Sequence, residues 1–218
     1  MKKRLIIALA LLVLLSTYKS QKLFLSTKFS IEEIKVENNF ILKDVDIKKN
    51  LNFLYGTNLI FLKSYNIERA LKKLSFIESF KIKKIYPNKL KIRIFERTPI
   101  AILQFKKEKF YISKNIDLIN YIYLEDYKDL PVIFGNKENF KELYNNLKKI
   151  NFPLNLVKRY YLFESKRWDF ETHTKKIIKL PKKNYNKSLE NFMNLTKKKK
   201  FDKYKVFDYR INNQLILK

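Results

Sequence analysis

The chain of 218 residues contains no cysteine. Disulfides and thiolate metal sites are therefore excluded, while the compartment stays open, since exported proteins often lack disulfides. Glycine is scarce. Gly56 and Gly135 stand too far apart to cradle a phosphate, and no serine sits in a Gly-x-Ser-x-Gly elbow. The single histidine, His173, falls in an expected turn at 172–175 and assembles no zinc spacing by itself. The carboxylates Glu32-Glu33 and Glu125-Asp126 are neighbours in sequence, so they point to opposite faces of a strand or lie beside turns in solvent. Neither a catalytic, a cofactor nor a metal site is expected. Arginine is scarce too: seven of the 48 basic residues, in a chain of net charge +27. Base readout and bidentate phosphate contacts favour arginine, and the lysines are spread along the whole chain. The charge reads as compositional drift rather than as a nucleic-acid surface, and Lys197–Lys200 reads as a solvated loop.

What is present begins with Met1-Lys2-Lys3-Arg4, a basic tip, followed by eleven apolar residues from Leu5 to Leu15. That run alone spans about 16 Å, half of a hydrocarbon core of about 30 Å. Ser16-Thr17-Tyr18-Lys19 is a poor cleavage site, and apolar character resumes at Leu23-Phe24-Leu25. An uncleaved anchor over 5–25 is expected, with Tyr18 at the interface and Lys19 and Lys22 snorkelling. The basic tip at 1–4 would stay in the cytoplasm.

Beyond the anchor, Phe29–Val36 reads as a strand. A helix follows from Asp44, with Ile47, Leu51, Leu54 and Tyr55 on one stripe and Gly56 as its left-handed cap. A second helix runs from about Ile67, capped by Ser64 or Asn66, on the stripe Ile67, Ala70, Leu71 and Leu74. A strand over Phe76–Ile85 leads to the turn Tyr86-Pro87-Asn88. In the next strand Leu90, Ile92 and Ile94 alternate with Lys91, Arg93 and Phe95, which turns one face to a core. Glu96-Arg97-Thr98-Pro99 closes the unit.

After Pro99 the texture changes to short strands at 100–105, 110–113, 116–124, 156–164, 167–171, 176–180, 204–211 and 214–217. Helices are expected at about Glu138–Ile150 and Ser188–Leu195. At the end, Phe207, Tyr209, Ile211, Leu215 and Leu217 would face inward, with Asn212-Asn213 as a two-residue turn. Gln214–Lys218 would then be a last strand with an uncovered edge.

Lys84, Tyr86-Pro87-Asn88, the alternating strand Leu90–Ile94 and Glu96-Arg97-Thr98-Pro99-Ile100-Ala101 together resemble the end of the POTRA domain in the FtsQ/DivIB family of bacterial cell-division proteins. Leu130-Pro131 through Gly135, Arg167-Trp168, Leu180-Pro181 and Asp208-Tyr209-Arg210 resemble that family's second, β-rich domain. The family's hairpin glycines are missing, replaced by Asn115-Ile116-Asp117 and His173-Thr174. The resemblance implies an α+β chain: a transmembrane helix, a POTRA domain of order β-α-α-β-β at 28–99, and a mostly antiparallel β domain with two helices at 100–218.

It also implies a function without catalysis or a small-molecule substrate. The chain would be a bitopic inner-membrane scaffold of the division septum, linking cytoplasmic and periplasmic division proteins through FtsB and FtsL. A partner strand would add to the edge Gln214, Leu215, Ile216 and Leu217, with side-chain contacts from Tyr209, Arg210 and Arg167. Tyr86, Pro87, Glu96, Arg97 and Pro99 would be structural. The competing readings are a membrane-tethered polyanion- or wall-binding protein and a periplasmic wall-active enzyme.

Overall fold

The computed structural model describes residues 2–17, 28–211 and 213–218, the first stretch forming helix α1 (Lys2–Thr17). The described apolar side chains of α1, from Ile6 to Val13, are exposed. Residues 18–25, the second part of the expected anchor, lie outside the described residues. Among the described residues no helix is long and apolar enough to cross a membrane.

The remainder is mixed α+β, and the chain divides into two units, Met1–Glu96 and Arg97–Lys218. The first unit contains β1 (Glu33–Glu37), α2 (Asp44–Asn50), α3 (Ser64–Leu71), β2 (Ile77–Ile85) and β3 (Lys89–Glu96). Its sheet has the order β1-β3-β2, with β1 parallel and β2 antiparallel to the central β3. The period-two pattern of β3 does what alternation requires. Leu90, Ile92 and Ile94 are wholly buried against Ile34, Ile47, Leu51, Ile67 and Leu71. Burying one such side chain is worth roughly 1.5–3 kcal/mol.

Three local expectations change. The first strand starts later, because Ser30 bridges Asn58 instead of extending β1. Helix α2 stops at Asn50, and a 3₁₀ turn at Asn52–Leu54 takes over, which leaves Tyr55 exposed. Gly56 does hold the left-handed conformation, at φ 76°. Helix α3 begins at Ser64 with Lys63 in the cap position, so neither Ser64 nor Asn66 caps it.

Glu96 ends β3 and reaches back across the unit. Its carboxylate accepts the backbone amides of Phe40, Ile41 and Leu42 at 3.0, 2.8 and 2.9 Å. Asn38 adds a bond from Nδ2 to the Ile94 carbonyl at 2.8 Å. The loop entering α2 is thus fixed to the far end of β3. The Tyr86–Pro87 peptide bond, in the turn at the near end, is cis.

The second unit contains β4 (Pro99–Phe105), β5 (Glu108–Ser113), β6 (Leu118–Asn120), β7 (Val132–Phe134), α4 (Lys137–Lys149), β8 (Val157–Leu162), β9 (Trp168–Thr172), β10 (Ile177–Lys179), α5 (Tyr185–Thr196), β11 (Val206–Asp208) and β12 (Ile216–Leu217). All its strands form one sheet of order β12-β11-β10-β9-β8-β7-β4-β5-β6. Most neighbours are antiparallel; β4–β7, β7–β8 and β10–β11 are parallel. One register row runs across seven strands as Leu103, Ile133, Tyr160, Phe170, Ile178, Phe207 and Leu217. That row meets Phe140, Leu143 and Leu147 of α4 and Leu189 and Phe192 of α5 in a single core. Asn136 caps α4, its side chain accepting from the Asn139 amide at 2.9 Å.

Gly135 follows β7 where the backbone passes close to other chain. An added Cβ would stand 3.0 Å from Leu162 Cβ and 3.3 Å from the Trp168 ring. Trp168 itself is buried. The expected strand over 116–124 shrinks to Leu118–Asn120, because the Ser113 hydroxyl accepts the amides of Asn115 and Asp117 and builds a turn. Ile116 sits inside that turn at φ 63°.

Candidate binding edge of the large sheet

Next to the apolar row lies a second one. Side chains alternate across a sheet, so it belongs to the opposite face. In register it reads Gln104, Phe134, Tyr161, Asp169, Lys179, Asp208 and Ile216. Phe134 and Tyr161 stack at 5.1 Å with their planes 5° apart. Asp169, Lys179 and Asp208 then alternate in charge over three adjacent strands.

Two arginines frame that triplet. Arg167 binds Asp169, Nε to Oδ1 at 3.1 Å, and lies over the Phe163 ring at 4.4 Å. Arg210 grips Asp208, Nε within 2.9 Å of Oδ1 and Nη2 within 2.6 Å of Oδ2. The hydrogen bonds from Arg210 hold the Asp208 carboxyl below its ordinary value. The Arg210 guanidinium is held correspondingly higher by Asp208, with a smaller contribution from Asp169. The structure therefore brings Arg167 and Arg210, far apart in sequence, to one polar strip.

The strip ends at β12, which pairs antiparallel with β11 and closes that side of the sheet. Lys218 and Val206 exchange both backbone hydrogen bonds, at 3.1 and 3.0 Å. Antiparallel ladders alternate bonded and non-bonded pairs. Ile216 consequently bonds inward to Asp208, and the N–H and C=O groups of Leu215 and Leu217 point away from β11. No strand among the described residues pairs on that outer side. The Leu215 and Leu217 side chains pack on the core, whereas Ile216 is exposed on the polar face.

Tyr209 is buried, as the alternation from Phe207 requires, so its side chain is not on the surface where the resemblance would have it contact a partner. Its hydroxyl donates to Asn191 Oδ1 at 2.9 Å, its amide to the Lys179 carbonyl at 2.8 Å, and burial pushes its phenol up. Other expectations change here. Ile211, expected inward, is exposed. The two-residue turn is absent: the Asp208–Ile216 pairing leaves 209–215 as the connection. Asn213 does take positive φ, at 59°, while Asn212 lies outside the described residues. The cause is Asp208, whose carboxylate also accepts the Arg210 amide at 3.1 Å and turns the chain before a tight hairpin can form. Of the residues expected to be structural, Glu96 closes the first unit as described. Arg97 pairs with Asp117 at 3.3 Å, and Pro99 opens β4 opposite Ser113. The Phe134–Tyr161 stack and the row it belongs to were not read from sequence. A strand was expected at 156–164, where β8 lies, but neither β7 nor its register with β8 was.

Residues 29–97 match the family model described as POTRA domain, FtsQ-type. The cell division protein FtsQ of Rickettsia conorii is 28% identical over 214 residues, covering 92% of this chain and 77% of the relative. FtsQ of Agrobacterium fabrum is 26% identical over 164 residues, covering 74% of this chain and 52% of its own length. The solved extracytoplasmic domain of the division protein DivIB from Geobacillus stearothermophilus aligns at 13% identity over 47% of this chain and 92% of its own, with a TM-score of 0.33.

Proposed function

We propose, from the chain's membership of the FtsQ family of bacterial cell-division proteins, that it is a bitopic inner-membrane scaffold of the division septum. Its basic tip stays in the cytoplasm, the segment 5–25 anchors it, and the rest of the chain lies in the periplasm. It works by binding rather than by chemistry, joining cytoplasmic to periplasmic division proteins. The partners the resemblance implies are FtsB and FtsL. FtsB adds a strand to β12, hydrogen-bonding to the outward groups of Leu215 and Leu217. Ile216, Arg210 and Arg167 receive its side chains on the polar face.

The observation that carries this reading is the position of β12 at the end of the sheet order with its outer side unpaired by any described strand. The test separates docking from folding. Proline at an edge position removes only an outward N–H, so Leu217→Pro keeps the ladder bonds of Ile216 and Lys218. Leu217→Ala removes the same packing but keeps the amide. Pull-down of FtsB is expected to fail with Leu217→Pro and to survive with Leu217→Ala, both checked for folding by circular dichroism. Equal binding by a folded Leu217→Pro variant overturns the proposed site.

A further inference from the structure

The near end of the first unit carries apolar surface that its core does not use. Phe61 is 79% exposed and Tyr86 57%, with Ile60 beside them. These residues lie together around the start of the unit. The Phe29 and Tyr86 rings meet edge to face at 6.0 Å. The Leu59 amide donates to the Phe29 carbonyl at 2.8 Å. Lys84 Nζ donates to the carbonyls of Ile60 and Leu62, at 3.0 and 3.2 Å, and so holds the loop that presents Phe61.

The charge around this cluster is mainly basic, and the nearest carboxylates are engaged: Glu33 pairs with Lys89 at 2.7 Å. No carboxylate occurs in 26–31, 57–67 or 79–95, the segments that build this end, while Lys28, Lys63, Lys83 and Lys84 do. Glu32, just beyond, accepts a bond from Asn88 Nδ2.

The reading that follows rests on the anchor proposed above. With the anchor ending at Leu25, three Cα–Cα steps of about 3.8 Å separate it from Lys28, a reach of at most about 11 Å. The end of the unit that carries Phe29 is then held at headgroup depth. Aromatic rings and lysines belong to that depth: the rings sit between acyl chain and water, and the ammonium groups meet anionic lipid.

We propose that this end of the first unit is a membrane-binding surface, with Phe61 and Tyr86 entering the interface of an anionic bilayer and Lys28, Lys63 and Lys84 contacting lipid phosphate. The surface fixes the orientation of the unit on the membrane instead of leaving it free on a tether.

The absence of cysteine makes the test specific. Single variants Phe61→Cys, Tyr86→Cys and Phe40→Cys of the full chain take an environment-sensitive fluorophore. Phe40 is 84% exposed and lies by Glu96, at the other end of β3. The chains are reconstituted into vesicles of phosphatidylcholine with phosphatidylglycerol that carry a shallow lipid-bound quencher. Labels at 61 and 86 are expected to lose about half their emission, as befits insertion of roughly 5–10 Å, while the label at 40 is unaffected. In phosphatidylcholine alone the quenching at 61 and 86 should weaken. A chain that floats with vesicles and resists alkaline extraction, yet whose labels at 61 and 86 remain as open to aqueous iodide as the label at 40, overturns this proposal alone. A chain that is extracted by alkali overturns the anchor and this proposal with it.

Discussion

The two sheets solve the same problem at different scales. In the first unit three strands and two short helices enclose one core, and its central strand, β3, is the last to appear in sequence. In the second unit nine strands share one sheet, and several are only two or three residues long. Their turns differ as well. Of the eight non-glycine residues at positive φ among the described residues, Asn38 lies in the first unit, and Lys106, Ile116, Asn151, Lys166, Lys175, Asn184 and Asn213 lie in the second. A glycine-poor chain has had to close the larger sheet with lysine, asparagine and even a β-branched isoleucine in a conformation that favours glycine. The small unit packs one face of β3 against two helices. The large one packs a row across seven strands and carries left-handed residues at its turns.

The largest effect expected from that contrast is for Ile92→Asp, which buries an unpaired charge in the small core. It should cost on the order of 3 kcal/mol or more. Trp168, the sole tryptophan, reports only on the second unit. Far-ultraviolet circular dichroism should therefore show a lost or lowered transition while the Trp168 emission transition stays in place. A Trp168 transition lowered equally would break the division of stability between the units.

Next is Glu96→Ala, which leaves the amides of Phe40, Ile41 and Leu42 without their acceptor. A loss of about 1–3 kcal/mol is expected in urea unfolding. Glu96→Gln, which keeps an acceptor oxygen, should lose less. An unchanged midpoint for Glu96→Ala would make the contact dispensable.

A smaller effect of opposite sign is expected at the strained turns. Lys166→Gly and Lys175→Gly, at φ 61° and 62°, should each stabilise the second unit by up to about 1 kcal/mol, read by Trp168 fluorescence in urea. The same substitution at Lys158, within β8, should destabilise it.

The smallest effect concerns pH. The folded Asp208 carboxyl is held below its ordinary value of 3.8, chiefly by the hydrogen bonds from Arg210. Its contribution is complete above that ordinary value and is lost as pH falls through the lowered one. Arg210→Ala should move the acid-unfolding midpoint of the second unit upward and leave the melting of the first unit alone. An identical acid midpoint would deny Asp208 any linkage to folding.

The same contrast explains how much could be read in advance. Strand β3 was legible because its alternation is unbroken and its buried residues do nothing but pack. Both later helices were legible in place, and their apolar residues, Phe140, Leu143 and Leu147, and Leu189 with Phe192, lie in the core. The end of the chain was legible as an edge but not as a hairpin. Alternation from Phe207 to Leu217 cannot reveal that the Asp208 side chain captures the Arg210 amide and breaks the period. Nor does spacing show that Tyr209 keeps pairing inward with Lys179. The polar strip depends on register among seven strands, which is a property of the assembled sheet.

The parallel pairing of β1 with β3 has a consequence in time. Glu33 meets Lys89, and Glu96 meets the loop from Phe40, across sequence separations of 55 residues or so. A ribosome adding roughly 5–20 residues per second leaves β1 without its neighbour for about 3–11 s after it is made. Throughout that interval Ile34 has no central strand to pack on, and nothing local in the sequence can supply one. The wait of β1 for its neighbour is thus set by the order of the strands along the message.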